Sequence, residues 1–156
     1  MRIACIIAAA LTVAGCSQTP KVETDPRNGR VDVDVERPGQ PETFNARLSP
    51  VGGSGVSGTA TARDMDGSTH ASVSISGGRS GGVHPWHIHE GKCGDANPPI
   101  VGPASAYTPL TVGGGGTATA QAHVPVELNE AKNYIVNVHA SPTNMGTIVA
   151  CGDLDD

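Results

Sequence analysis

The stretch HPWHIHEGKC, His84 to Cys93, puts three histidines within six positions and closes on a cysteine. Successive side chains of a strand leave on opposite faces, so Trp86 and Ile88, the large apolar residues here, share a face with His84. With Trp86 marking the core, His87 and His89 point outward. The same parity holds in NYIVNVHAS, Asn133 to Ser141: Tyr134, Val136, Val138 and Ala140 read as inward, Asn137 and His139 as outward. Two imidazoles at i and i+2 project from one strand face at chelating separation, and imidazole suits copper, zinc and nickel. His139 joins them outside the sheet if the two strands are neighbours, which parity alone does not decide.

Period-two patterning extends outward from this stretch. In HASVSIS, His70 to Ser76, Ala71, Val73 and Ile75 alternate with polar residues; in TATAQAHVPV, Thr117 to Val126, the apolar set is Ala118, Ala120, Ala122, Val124 and Val126. These are half-buried strands. Glycine-rich breaks at GGSG (52–55), DMDGS (64–68), GGRSGG (77–82) and GGGG (113–116) separate them, and only VELNEAK (126–132) offers a helical turn. The pattern predicts an all-β sandwich or barrel. With one Trp, one Phe and two Tyr in 156 residues, its core is thin and mainly aliphatic. His70 and His123 fall at outward positions of strands remote in sequence and read as surface residues.

The chain ahead of this domain has a different character. MRIACIIAAALTVAGC carries one early arginine, an apolar run and small residues before Cys16, so residues 1–15 read as an export signal. Its ending, LTVAGC, resembles a bacterial lipoprotein signal, which implies lipidation of Cys16 as the first mature residue and a membrane anchor. Ser17 rather than Asp at the next position leans towards an outer membrane. Residues 16–43 hold four prolines, charges of both signs and no apolar residue larger than valine, the composition of a flexible tether. Within it VDVDVE, Val31 to Glu36, alternates strictly enough for a short edge strand. Residues 44–156 form the folded domain.

Charge and cysteine usage narrow the class further. The formal net charge is −5, removal of Arg2 makes it one unit more negative, and no basic cluster exists, which excludes a nucleic-acid partner. Cys5 leaves with the signal and Cys16 takes lipid, leaving Cys93 and Cys151 as a pair in an oxidising cell envelope, periplasmic or otherwise extracytoplasmic. A disulfide is the default there. An immunoglobulin-type sandwich sets its core Trp between two cysteines, whereas Trp86 precedes both.

Taken together, ARLSPVGGSGVSGTATARDMDGSTHASVSISG (46–77), GGVHPWHIHEGKC (81–93), NYIVNVHAS (133–141) and IVACGDL (148–154) resemble the Cu/Zn superoxide dismutases, whose pattern has the form HGFHxHE…C…VxVH…ACG. The resemblance implies an eight-stranded Greek-key β-barrel with a metal site on its outer surface. It makes His87, His89 and His139 three of four copper ligands, Cys93 and Cys151 the family's disulfide, and His84 a buried structural histidine.

Departures from the family pattern bear on function. The loop after Cys93, GDANPPIVGPASAYTPL (94–110), contains no histidine, and Ala106 stands where the family's bridging histidine would. A family-type zinc site is therefore not expected, and copper is the implied cofactor. Ile148 occupies the place of the substrate-guiding arginine, and the eleven residues between His139 and Cys151 are too few for a long charged guiding loop. Steering of this kind is worth about 10 to 1,000 fold in on-rate. Met145 offers a soft thioether near His139 as a fourth ligand or as cover for the disulfide. Asp95, Glu90 and Asp153 read as turn, strand-end and surface carboxylates, and Ser141 and Thr143 as loop-shaping residues. No residue takes a catalytic role beyond metal binding. Three functions stay open on these residues: a copper-only superoxide dismutase, a copper buffering or delivery lipoprotein, and a structural envelope barrel.

Overall fold

A computed structural model describes residues 42–155 together with two short strands nearer the N-terminus. Those are β1 (Lys21–Thr24) and β2 (Val31–Asp34), an antiparallel pair with Val22 opposite Val33. The alternation in VDVDVE thus forms a strand, and its partner is Lys21–Thr24. The signal segment and Cys16 lie outside the described residues. No helix among the described residues is long and apolar enough to cross a membrane.

The chain divides into two compact units, residues 1–40 and 41–156, and the described part of the second is all-β, as the alternation predicts. Its strands are β3 (Thr43–Pro50), β4 (Ser57–Met65), β5 (Ser68–Ser76), β6 (Val83–His84) and β7 (Trp86–Glu90), followed by β8 (Leu110–Thr111), β9 (Ala118–Val124), β10 (Tyr134–Ser141) and β11 (Asn144–Leu154). Seven of them form one curled antiparallel sheet in the order β7-β10-β11-β3-β4-β5-β9, a half-barrel. Proline lacks the ladder donor, and Pro85 splits one strand segment into β6 and β7. Counted as one, they give eight segments. β8 pairs with β6, and Tyr107 just before it bridges to Ala122 on β9, so this segment spans the gap between the sheet's two edges. Among the described residues the only helical element is a 3-10 turn at Ala104–Ala106.

Local chemistry sets the turns. β4 and β5 are joined by Asp66 and Gly67, both at positive φ (52° and 82°), the two-residue Asp-Gly hairpin whose twist matches that of the strands. The buried faces are those that alternation selects: Phe44, Ala46 and Leu48 on β3, Ala71, Val73 and Ile75 on β5, Ala118, Ala120, Ala122 and Val124 on β9. Val126 departs from its predicted inward position. β9 ends at Val124, Pro125 breaks the alternation, and Val126 is exposed. Trp86 is fully enclosed, its indole N–H donating to the Thr108 carbonyl at 2.8 Å and its ring meeting Tyr107 edge-on at 5.2 Å. Full burial of side chains such as Leu48, Ile88 and Leu110 stabilises by roughly 2 kcal/mol each. The eight core alanines, on β3, β4, β5, β9 and β11, contribute much less apiece.

Candidate metal centre

Strand pairing brings the three predicted ligands together. β7 and β10 are hydrogen-bonded neighbours with Asn137 opposite His87 and Ile135 opposite His89. His139 lies two positions beyond Asn137 on the same face, diagonal to His87, and diagonal cross-strand neighbours are within reach of long side chains. A register shift in the β10–β11 ladder at His139 re-aims that residue, while its N–H bonds the Pro85 carbonyl at 2.8 Å. One ligand atom from each of the three histidines lies within 4.8 Å of the others.

Backbone carbonyls, which only accept, place the ring protons. His89 donates from Nδ1 to the Pro98 carbonyl at 2.8 Å, and His139 donates from Nδ1 to the Met145 carbonyl at 2.6 Å. Each neutral ring thus keeps its lone pair on Nε2. His87 turns the other nitrogen inward: its Nδ1–H donates to His139 Nε2 at 3.1 Å. His89 Nε2 is buried with no hydrogen-bond partner at all. A buried polar atom without a partner is costly and rare; His84 Nε2 is a second one, but it belongs to no cluster of ligating groups. The three rings bring one nitrogen each within 4.8 Å of one another, and once the His87 proton moves from Nδ1 to Nε2 this donor set fits a metal ion.

The site is outside the sheet, as parity predicts, but it is not an open surface. His87, His89 and His139 are only 4%, 6% and 5% exposed. The segment between β7 and β8 folds back as a roof: Glu90 N–H bonds the Pro99 carbonyl, Ile100 bridges His89, and Val101 N–H bonds the Ile88 carbonyl. Tyr107, hydrogen-bonded to the Val101 carbonyl, stands edge-on to His87 at 5.1 Å between centroids. Burial holds all three imidazoles neutral. For His87, burial first and then the neighbouring His139 and His89 push the pKa down to about 4. His89 is lowered chiefly by burial, against the Pro98 carbonyl, and His139 is lowered by burial against the Met145 carbonyl. Ligands must be neutral to bind, so at pH 7 no proton need be driven off as a cation's cost.

The disulfide joins Cys93 to Cys151 with Cα atoms 6.0 Å apart, tying the roof's first residues to β11. Asp153 accepts from Cys93 N–H at 3.1 Å and Asp95 from Lys92 N–H at 2.7 Å, while Glu90 pairs with Lys132 at 2.8 Å on the surface; none of these carboxylates joins the cluster. Ser141 and Thr143 bond each other in the hairpin turn. What meets His139 from Met145 is the carbonyl, and the side chain is exposed. His84 is buried and donates from Nδ1 to the His139 carbonyl at 2.9 Å, bracing the strand beneath the ligand. Ala106 is half-buried beside Tyr107, and Ile148 lies opposite His139 in the ladder. His70 and His123 are away from the cluster, though not remote from each other.

Sequence patterns missed the Pro98 and Met145 carbonyls and the contact from Tyr107. A main-chain carbonyl carries no residue-type signal. Tyr107 had a faint one, an aromatic residue in a loop of a chain with few aromatics. No family model matches the chain, and no curated protein does.

Proposed function

We propose that this is an exported, lipid-anchored copper-binding protein of superoxide dismutase-like architecture, in which His87, His89 and His139 hold one ion. The observation that carries the reading is the convergence of three buried imidazoles within 4.8 Å, one of them with an unpartnered Nε2 on a ring fixed by the Pro98 carbonyl. Three neutral nitrogen donors under a roof suit trigonal Cu(I), and at a common site the affinity order of divalent ions favours copper over zinc. Among the described residues no carboxylate or thiolate joins the three imidazoles.

Buffering or delivery of copper fits better than rapid turnover. Bound copper would supply one-electron cycling between Cu(II) and Cu(I), which balances two superoxide and two protons against dioxygen and hydrogen peroxide. The chain's own residues serve that reaction poorly: Ala106 offers no proton, Ile148 no guiding charge, and the roof restricts approach to the ligands. In copper-loaded protein, superoxide dismutation per bound ion at the rate of an efficient enzyme would overturn the buffering assignment in favour of a dismutase.

His139→Ala is expected to weaken Cu(I) binding by more than about a hundredfold, since loss of a mere outer partner of a ligand already costs about 10 to 100 fold. Competition against a chromogenic chelator measures this. Equal affinity in wild type and the His87→Ala, His89→Ala, His139→Ala variant would end the copper assignment.

Lipidation at Cys16 is the anchor in this reading, because acyl chains hold a domain to a membrane where a short tether alone does not. Mass spectrometry of the protein purified from membranes is expected to find an N-terminal, acylated Cys16. An unmodified mature terminus at another residue would overturn it.

A further inference from the structure

A second imidazole pair lies on the outward face of β4, β5 and β9. Most of that face is a hydroxyl array, with Thr61 bonded to Ser72 at 2.9 Å and Ser74 to Thr119 at 2.8 Å. One row interrupts it. The register sets Arg63, His70 and His123 side by side across the three strands, all exposed. The two imidazoles stack, ring centroids 4.2 Å apart and planes 29° from parallel, and His123 Nε2 lies 3.2 Å from Ser68 Oγ.

We propose that His70 and His123 form a second, solvent-exposed metal site, one for hydrated divalent ions of the Cu(II), Ni(II) and Zn(II) class. Two nitrogens bonded to one such ion at about 2.0–2.1 Å must stand about 3 Å apart. Rings already face to face across adjacent strands reach that separation by rotation about their terminal torsions, which are soft. Both residues sit within paired strands and opposite each other in the ladder, so little backbone freedom is lost on binding. Water completes the coordination sphere from the open side. Arg63 sits on the far flank of His70 and repels a cation, so the affinity falls below that of the roofed cluster. The two sites divide by access and donor number: the roofed one takes a desolvated ion on three imidazoles, the exposed one a hydrated ion on two.

The test titrates the purified, disulfide-bonded protein with NiCl2 and follows paramagnetic broadening of its amide NMR signals. Saturable broadening at Ser72, Gln121 and His123 is expected, retained in His139→Ala and lost in His70→Ala/His123→Ala. His123→Gln, which keeps a planar polar side chain on the strand, gives the same loss if the double change disturbs the sheet. Broadening that is absent from β5 and β9, or that survives in both His123 variants, would overturn the proposal and leave the pair as a stacking contact only.

Discussion

Cys151→Ser is expected to cost about 4 kcal/mol of stability under oxidising conditions, the loop-entropy value for a bridge closing 58 residues. The effect is large relative to the whole, because domains of this size are stable by only about 5–15 kcal/mol. The thin core leaves little in reserve: alanine fills much of the inward faces of β4 and β9, where larger residues would bury more area. Cys151 is itself buried on β11, paired with Asn137 of β10 and Ser49 of β3, so the bridge fastens the roof to the middle of the sheet. Urea unfolding of wild type and variant measures the difference. A change below about 1 kcal/mol would show that the roof is held by its main-chain bonds to Ile88 and Glu90. If the bridge does hold the roof, the variant also loses copper affinity, because the Pro98 carbonyl that orients His89 lies five residues from Cys93.

Metal-free protein is expected to lose stability steeply as pH falls from about 6.5 towards 4. Above the ordinary histidine value both folded and unfolded chains hold His87 neutral, and the group contributes no pH dependence. Between 6.5 and about 4 the unfolded chain takes up a proton that the folded chain refuses, so stability falls as pH falls. That gap corresponds to about 3 kcal/mol for His87 alone. His89 and His139 act in the same direction, since burial lowers both. Asp64, buried beside Thr69 and Leu128, works in the opposite sense at the acid end of the window, because burial raises its carboxyl. Copper binds imidazoles that hold no proton in this window, so it raises the stability by a nearly constant amount and leaves the slope, which the unfolded chain sets, unchanged. Parallel urea titrations at pH 7, 6 and 5, with and without Cu(I), check both halves. An unchanged slope in metal-free His87→Ala would show that His87 is not a group refusing the proton.

Parity in WHIHE and in YIVNVHAS was enough to place His87, His89 and His139 on the side away from the core, because a strand's two faces are decided by adjacent residues alone. Parity could not give exposure. A face turned from the core is solvent-exposed only if nothing covers it, and what covers it here is a loop whose own sequence, GDANPPIVGPASAYTPL, has no period to read. The same limit hid the partnership of His70 and His123. They stand 53 positions apart in the chain and side by side in the sheet, through a β5–β9 pairing that passes over three intervening strands.

Residue types and their spacing therefore determined the class of the fold, the inward and outward faces, the paired cysteines and the three nitrogen donors. Each depends on local alternation or on the chemistry a side chain carries wherever it lies. Tertiary structure decided which nitrogen of each histidine is free, how deeply the cluster is buried and which exposed histidines meet. Those follow from main-chain carbonyls at Pro98 and Met145, from the bridge at Cys93 and from long-range strand order, and each requires segments far apart in sequence to have already packed against one another.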